Sequence, residues 1–391
     1  MEGSKIYLDY AATTPVDSRV LECMLPYFRE YFGNPSSIHA YGQRAESALE
    51  TARQTVAGIL NCSPDEVIFT SGGTESDNLA LRGTALAARQ SRGANHILIT
   101  PVEHHAVSNT ARQLADLFGF EIEFLPVDSH GRLDPQAVYD HIRPDTAIVS
   151  AIFANNEIGT INPIREIGLI CRQKNIPFHS DAVQATNYLP VRVDELEVDL
   201  LSLGAHKFYG PKGVGILYIR KGTPILSTHT GGGQELGLRA GTSNIPLIVG
   251  LAEAMRIADQ DRFKRIEHVR PLRDQIIKSA LEQIPECQLT GHPVLRLPNH
   301  ASFAFRHIDG NSLLILLDSH GFACSSGSAC KVGNPEPSDV LLALGLEPEW
   351  ALGSLRVTLG NESTLDQVEK FIEILPVAVS KARSLAVFST P

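Results

Sequence analysis

The stretch VDLLSLGAHKFYGPKGVGILYIR, residues 198–220, holds two short apolar runs separated by a turn of glycine, proline and lysine. From about Glu66 onward, runs of this kind alternate with amphipathic segments: EVIFT at 66–70, TESDNLALRGTALAARQ at 74–90, HILITP at 96–101, EHHAVSNTARQLADLFG at 103–119, TAIVSAIFA at 146–154 and IPFHSDA at 176–182. This alternation is typical of an open, largely parallel sheet wrapped by helices. The sequence therefore predicts an α/β fold with ligands at the carboxyl ends of the strands.

The pattern changes after Asn244, where a long amphipathic segment precedes a second region of mixed helices and strands, with ASFAFRHI, NSLLILLDSHG and SLRVTLG as its apolar runs. A long connecting helix joins the two regions in this interpretation. We expect a large domain at 14–255. A smaller α+β domain is expected to combine 1–13 with 256–391 and to carry a loop at about 322–336.

Composition excludes several classes of protein. The 391 residues are 43% hydrophobic, which is ample for a core, and 34 basic against 44 acidic side chains give a net charge of −10. That charge disfavours nucleic acids and anionic membrane surfaces as partners. No apolar stretch approaches the roughly 18 residues that a membrane span requires, and the start MEGSKIYLDYAATTP does not resemble a secretion signal. A cytoplasmic protein is expected.

The cysteines are scattered, without a CxxC pair or a Cys/His cluster at zinc spacing: Cys23, Cys62, Cys171, Cys287, Cys324 and Cys330. Free thiols in a reducing compartment, and no metal site, are predicted. Cys330 stands in ACSSGSACKVGNP, residues 323–335, among side chains too small to bury it. Such a loop leaves the thiol available for chemistry.

Three short motifs contain candidate cofactor-binding or catalytic residues. SGGTESDN at 71–78 places Gly73 and Thr74 where a helix start could cradle a phosphate, although this is also an ordinary helix entry. IPFHSDAVQA brings Asp181 to a strand end, where a helix cap is the commoner role. The next strand ends at His206 and Lys207, and lysines are normally solvated. Together, the glycine turn, the strand-end carboxylate and the His-Lys pair are the groups that a pyridoxal-phosphate site requires. Lys207 would form the Schiff base, and Asp181 would keep the pyridine nitrogen protonated.

The chain resembles the cysteine desulfurases of the class V aminotransferase group, which are fold type I pyridoxal-phosphate enzymes. The resemblance covers nearly the whole chain in family order, through YLDYAATTP at 7–15, FGNPSS at 32–37, FTSGGTESDN at 69–78, EHHAV at 103–107, NNEIG at 155–159, DAVQ at 181–184, HKFYGPKG at 206–213, GGGQELGLRAGT at 231–242, SSGSAC at 325–330 and LRVTLG at 355–360. It implies a mostly parallel, seven-stranded sheet in the large domain.

The resemblance also implies roles for individual residues around the cofactor. Lys207 would move the Cα proton of the substrate, and His104 would cover the pyridine ring, although His105 beside it leaves open which histidine does so. The remaining implied contacts are Asn155 and Gln184 to the phenolic oxygen and substrate side, Gly73, Thr74 and His206 to the phosphate, and Thr242 to the phosphate of a neighbouring subunit. The last contact implies a homodimer with shared active sites.

The resemblance also implies roles in substrate binding and sulfur transfer for three further residues, Arg356, Asn34 and Cys330. Arg356 would clamp the carboxylate of L-cysteine, with an internal Asp or Glu partner as the alternative, and Asn34 would line that pocket. Cys330 would take the substrate sulfur as a persulfide and pass it to an acceptor, an iron–sulfur scaffold or another carrier, where Cys330 could transiently ligate a cluster. Cys324 is interpreted as a small strand residue rather than a resolving thiol.

Two departures from the family pattern lead to expectations. Gly204 stands where related enzymes often have a phosphate-contacting serine, which predicts weaker cofactor binding. The spacing up to EPS matches the long-loop, scaffold-serving branch, whereas the end at LAVFSTP lacks the longer tail by which housekeeping members dock the iron–sulfur scaffold and so counts against that partner. Other pyridoxal-phosphate activities remain open, namely a selenocysteine lyase, a cystine C–S lyase and a small-acid aminotransferase. A non-catalytic scaffold is disfavoured, because every key residue is present.

Overall fold

The computed structural model describes residues 5–327 and 336–387, and its centre is a seven-stranded sheet. In spatial order the strands are β2 (Val67–Thr70), β8 (Gly215–Ile219), β7 (Leu200–Gly204), β6 (Phe178–Asp181), β5 (Thr146–Ser150), β3 (His96–Ile99) and β4 (Glu121–Phe124). Only β8 runs antiparallel to its neighbours. The prediction of a mostly parallel seven-stranded sheet is confirmed.

Helices cover this sheet, and further helices belong to the second region. Their bounds are α1 (Ser18–Met24), α2 (Pro26–Arg29), α3 (Ala40–Leu60), α4 (Gly73–Asn78), α5 (Thr84–Arg92), α6 (His105–Phe118), α7 (Pro135–His141), α8 (Ile164–Lys174), α9 (Val193–Leu196), α10 (Ile245–Gln283), α11 (Gly310–Ser319), α12 (Asp339–Ala343), α13 (Pro348–Leu352) and α14 (Leu365–Val387). Among the described residues, none of these helices has the length and apolar character to cross a bilayer.

The inner strands are buried on both faces, which explains their nearly continuous apolar sequence. Every residue of β3, β5, β6, β7 and β8 is buried, whereas the edge strand β4 is partly exposed. Two clusters of buried apolar side chains lie against the sheet, one including Phe178 and the other including Ile97. Burying side chains of this size contributes about 1.5–3 kcal/mol each, so the sheet is a rigid support for the loops at its edges.

A second core lies beside a small antiparallel sheet of β12 (Ser354–Thr358), β10 (His300–Phe305) and β9 (Cys287–Leu289). The N-terminal strand β1 (Ile6–Tyr7) also joins this region, because it pairs in parallel with β11 (Phe322–Ala323). Helix α10 contributes its residues from Ile245 to Ala258 to the first core and those from Val269 to Ala280 to the second. We infer that the domain boundary lies within α10, between Ala258 and Val269, slightly beyond the expected position at 255, with the N-terminus belonging to the smaller domain.

Candidate active site

Lys207 lies just beyond β7, in a single turn of 3₁₀ helix at Ala205–Lys207. Its Nζ donates hydrogen bonds to the carbonyl oxygens of Ala11 at 2.6 Å and Ala12 at 2.8 Å. Burial, assisted by the positive charge of Arg356, lowers the pKa of Lys207 to about 8, against the opposing effect of nearby carboxylates. The lowered pKa therefore increases the fraction of neutral amine near physiological pH, and it is the neutral form that acts as a nucleophile.

Asp181 ends the neighbouring strand β6, and its carboxylate is 4% exposed. Its Oδ1 accepts a hydrogen bond from the backbone N–H of Val183 at 2.9 Å, and among the described residues no arginine or lysine forms an ion pair with it. Burial raises the pKa of Asp181, while His104 and Lys207 oppose the increase. A buried carboxylate without a cationic partner fits a site for a protonated ring nitrogen.

A second buried carboxylate, Asp77 of α4, accompanies Asp181. One ligand atom each of Asp77, His104 and Asp181 lies within 4.8 Å of the others, and Asp77 Oδ1 is a buried oxygen without a hydrogen-bond partner. Its nearest described base is His179, whose Nε2 lies 3.5 Å away. Burial and the charge of Asp181 raise the pKa of Asp77. We assign this trio to the cofactor site rather than to a metal, because Lys207 acts electrostatically on both His104 and Asp181.

His104, rather than His105, shares this cluster. His104 is the N-cap of α6, and its Nδ1 accepts the backbone N–H of Ala106 at 3.1 Å. Desolvation lowers the pKa of His104, Lys207 and His105 add to the decrease, and Asp181 opposes it. The cap fixes the ring orientation beside the two carboxylates, so His104 is the histidine placed to face a bound ring.

The turn before α4 comes close to the loop after β6. A Cβ added to Gly73 would lie 2.5 Å from Val183 Cγ2, so this position has no room for a side chain. Thr74 follows in the first turn of the helix and is exposed. A Cβ on Gly204 would instead meet the Gly73 nitrogen at 3.4 Å and Val183 at 3.5 Å, which are ordinary contacts. The exposed helix start and glycine turn therefore suit an anion.

Three other predicted cofactor contacts, Gln184, His206 and Asn155, are held by hydrogen bonds within the protein. Gln184 Nε2 donates to the carbonyl of Ala11, the acceptor that Lys207 also uses, at 2.8 Å. His206 Nδ1 is 3.1 Å from Thr13 Oγ1, and burial lowers its pKa to about 4, so the ring is neutral. Asn155 Oδ1 accepts hydrogen bonds from the backbone N–H groups of Glu157 and Ile158, and Nδ2 donates one hydrogen to the carbonyl of Val102. One amide hydrogen of Asn155 stays free for a ligand.

Arg356 on β12 already has the internal partner that the sequence left as an alternative. Its Nη2 donates to Asp9 Oδ1 at 2.8 Å and its Nη1 to the carbonyl of Asn156 at 2.9 Å. Its Nε is buried without a hydrogen-bond partner. The guanidinium is thus held from two sides, and its remaining N–H groups have no partner among the described residues, so they can donate to a substrate carboxylate.

Asn34 and Thr242 stand apart from this cluster within one chain. The described contacts join neither residue to Lys207 or Arg356, and both residues are exposed. Asn34 Oδ1 accepts the backbone N–H of Ser36, and Ser36 lines a surface cavity together with Ser243. The two predicted site residues therefore lie on one outer face of the protein.

The predicted sulfur carrier, Cys330, lies outside the described residues. Cys324, at the described end of β11, is half-buried, and burial raises the pKa of its thiol. A protonated thiol is a poor nucleophile, which favours the structural interpretation of Cys324.

Sequence reasoning missed two acidic residues, Asp77 and Asp9. Asp77 occurs in SGGTESDN and Asp9 in YLDYAATTP, both quoted motifs, but nothing in a linear pattern shows that their carboxylates face Asp181 and Arg356. The signal in the sequence was an acidic residue within a run of apolar or small residues, because burying a carboxylate that has no hydrogen-bond or charge partner is costly.

Residues 6–371 match the family model described as "Aminotransferase class-V". The chain belongs to this family. It is 46% identical over 382 residues to "Cysteine desulfurase IscS" of Dictyoglomus turgidum, covering 98% of this chain and 96% of that protein. It is also 46% identical to the protein of the same name from Methanosarcina thermophila, covering 98% and 94%.

Solved structures agree on the fold. A structure titled "NIFS-LIKE PROTEIN" superposes with a TM-score of 0.89 at 39% identity, covering 96% of this chain and all of that one. A second, "SspA in complex with cysteine", has a TM-score of 0.78 at 35% identity over 92% of this chain and 100% of its own. The predicted fold type I architecture is confirmed, and the class V family is dependent on pyridoxal phosphate.

The residues present fit pyridoxal phosphate. The Lys207 amine with its lowered pKa and the glycine turn at Gly73 match the aldehyde and the phosphate in charge and type. The buried carboxylate of Asp181, which has no lysine or arginine partner among the described residues, matches the ring nitrogen. The orphaned buried oxygen of Asp77 shows that this pocket has polar atoms which the protein alone leaves unsatisfied.

Proposed function

We propose that this protein is a pyridoxal-phosphate-dependent cysteine desulfurase. Its substrate is L-cysteine and its products are L-alanine and a persulfide on Cys330. The observation that carries the proposal is that one N-terminal segment holds both Lys207, through the carbonyls of Ala11 and Ala12, and Arg356, through Asp9. The names of its relatives, at 46% identity over nearly full length, support the same activity.

The chain's own side chains bind and orient the substrate. Bound pyridoxal phosphate supplies an acceptor for the electrons left when a Cα–H bond breaks. Arg356 holds the substrate carboxylate through guanidinium N–H groups that its contacts with Asp9 and Asn156 leave unused, and Lys207 removes and later returns the Cα proton. Asp181, ionised when it faces a protonated ring nitrogen, stabilises that charge. His104 covers the site at its position beside both carboxylates.

Sulfur transfer is assigned to Cys330. Its thiolate attacks the substrate sulfur, an S–S bond forms, and the S–Cβ bond breaks. The electron pair of the broken bond stays with the carbon fragment, which takes up protons and leaves as alanine. The carrier thiol is thus oxidised to a persulfide while the substrate carbon is reduced, and no external oxidant is required. From their proximity in sequence, Lys331 and the backbone amides of SSGS are expected to favour the thiolate.

Product analysis tests this activity against the other pyridoxal-phosphate reactions. Purified holoenzyme incubated with L-cysteine and a thiol reductant should give alanine and sulfide in equal amounts. Cys330→Ser should retain the cofactor and lose alanine formation. Pyruvate and ammonia in place of alanine would identify a C–S lyase, and a clear preference for selenocysteine would identify a selenocysteine lyase.

A homodimer with shared active sites is part of the proposal. Asn34 and Thr242 belong to an outer face with exposed apolar side chains, namely Phe32, Ile38, Tyr41 and Leu236, of which Ile38 is 93% exposed. Such a face favours association with a second copy. If a second copy covers this face, Thr242 of one subunit can reach the phosphate bound in the other. Sedimentation should then show a dimer, and Ile38→Glu should weaken its association.

The proposal also includes a protein that accepts the sulfur and a location in the cytoplasm. A persulfide is a carrier, so a second protein must receive the sulfur, and the desulfurase relatives named IscS support an iron–sulfur scaffold. A reducing cytoplasm is the expected location because a persulfide carrier requires a free thiol. Transfer of labelled sulfur from Cys330 to candidate acceptors would test the partner.

A further inference from the structure

The carboxylate of Glu157 joins two distant parts of the chain. Ser338 Oγ donates a hydrogen bond of 2.6 Å to Glu157 Oε2, across 181 residues of sequence. Ser338 is 4% exposed and is also the N-cap of α12, since its Oγ accepts the backbone N–H of Leu341. The contact is short and well shielded from water, so it is a strong one.

The same oxygen lies against Gly327. A Cβ added to Gly327 would be 2.4 Å from Glu157 Oε2 and 3.1 Å from Ser338 Cβ, so the chain approaches the carboxylate as closely as a glycine permits. Two residues earlier, Ser325 exchanges backbone hydrogen bonds with Arg356, at 2.7 and 3.3 Å. The described ends on both sides of residues 328–335 therefore meet at one carboxylate.

Glu157 is itself held by the turn that supports the substrate site. Its backbone N–H donates to Asn155 Oδ1 at 2.8 Å. The carbonyl of the intervening residue, Asn156, accepts from Arg356 Nη1 at 2.9 Å. Arg356 and Glu157 are thus fixed to the same three-residue turn, one through a carbonyl and the other through its own backbone.

We propose that Glu157 is a positioning residue for sulfur transfer, which fixes Gly327 and Ser338 relative to the turn that holds Arg356. The inference rests on the proposed function of Cys330, which lies in sequence between Gly327 and Ser338. Glu157 acts through these two residues and does not touch the reacting atoms. The carboxylate fixes the described chain on both sides of the segment that contains Cys330, relative to the turn that holds Arg356.

This role separates two stages of the reaction. Substrate binding and loss of the Cα proton depend on Arg356 and Lys207, whose own hydrogen bonds do not involve the Glu157 side chain. Attack by the Cys330 thiolate depends on the separation of two sulfur atoms, and misplacement by about 1 Å can cost about a hundredfold in rate. Loss of the Glu157–Ser338 contact should therefore slow the second stage alone.

The experiment compares Glu157→Gln, Ser338→Ala and the double variant as holoenzymes. The first stage is followed in stopped flow by the cofactor absorbance change on adding L-cysteine, and the second by quenched-flow measurement of persulfide and alanine. Each single variant should keep the absorbance change and form persulfide about tenfold more slowly, as expected for one lost charge-assisted hydrogen bond. The double variant should be little slower than either single one, because both substitutions act on the same contact, Glu157→Gln by removing the charge of the acceptor and Ser338→Ala by removing the donor. Glu369→Gln, exposed on α14, is the matched control.

Two outcomes would overturn the inference alone, provided that the wild type forms persulfide. One is an unchanged persulfide rate in Glu157→Gln, and the other is an equal loss of the absorbance change and the persulfide, which would indicate general damage. Thermal unfolding of each variant distinguishes such damage from a local effect. A wild-type protein that binds L-cysteine but forms no persulfide would overturn the proposed function and, with it, this inference.

Discussion

Arg356 and Asp9 form a 2.8 Å ion pair that connects β12 of the small sheet to the N-terminal segment. Two residues beyond Asp9, the carbonyls of Ala11 and Ala12 accept the hydrogen bonds of Lys207. The candidate substrate clamp and the candidate cofactor lysine are therefore held by the same few residues, although they come from different cores. Both side chains of the ion pair are largely buried, so the interaction is weakly screened by water.

Replacing Arg356 should mainly weaken substrate binding. Arg356→Ala removes the guanidinium donors and leaves Asp9 buried without its partner, so we expect the KM for L-cysteine to rise by about 10- to 100-fold. Asp9→Asn, which keeps the arginine, should give a smaller rise. Arg112→Ala, exposed on α6, is the control. A lower kcat at unchanged KM in Arg356→Ala would contradict the carboxylate clamp.

The attachment of the cofactor should depend on pH through Lys207. The pKa of this amine is lowered from 10.5 to about 8, and only the neutral amine attacks an aldehyde. The rate at which cofactor-free protein acquires its absorbance band should therefore rise with pH and level off above about 8. Arg356→Gln removes a positive charge that lowers this pKa, so the midpoint should move to higher pH. A rate that keeps rising in proportion to the neutral fraction of an ordinary lysine would contradict the lowered pKa.

The second carboxylate at the ring site should be neutral while Asp181 is ionised. Burial and the charge of Asp181 raise the pKa of Asp77, so Asp77 holds the proton of the pair, and Asp77→Asn preserves both its shape and its lack of charge. Acid titration of the holoenzyme absorbance should therefore show cofactor release at the same pH as in the wild type. Asp116→Asn on α6 is the control, and a shifted release in Asp77→Asn would show that Asp77 carries a charge at the site.

Gly204 offers a test of the missing phosphate contact. The structure has room for a Cβ there, with the Gly73 nitrogen 3.4 Å away, so a serine hydroxyl at this position would face the glycine turn. Gly204→Ser should lower the Kd for pyridoxal phosphate about three- to tenfold, the usual effect of one added hydrogen bond. Gly204→Ala carries the same Cβ without the hydroxyl and should show no such gain. Equal affinities of the serine and alanine variants would contradict the expectation.

The sequence predicted the large sheet because its strands are short, apolar and regularly separated by helices, as in Val67–Thr70 and Leu200–Gly204. Residues at strand ends, such as Asp181 and Lys207, could be assigned for the same reason, since parallel strands deliver their carboxyl ends to one edge.

What the sequence could not provide were contacts between distant segments. The Asp9 pairing of Arg356, the Asp77 carboxylate beside Asp181 and the Ser338 contact of Glu157 depend on tertiary packing across many residues. Local propensity carries no information on such pairs. For Arg356, sequence reasoning named a substrate carboxylate as the expected partner and an internal Asp or Glu as the alternative. The structure shows the internal partner, Asp9, and leaves Nε without a hydrogen-bond partner among the described residues.

The most direct test of the central claim is the mass of the Cys330 peptide. The holoenzyme is incubated with L-cysteine without reductant, digested and weighed, while alanine is assayed in the same sample. The proposed mechanism predicts one added sulfur atom on Cys330 and one alanine for each persulfide formed. An unmodified Cys330 together with pyruvate or free sulfide would contradict it.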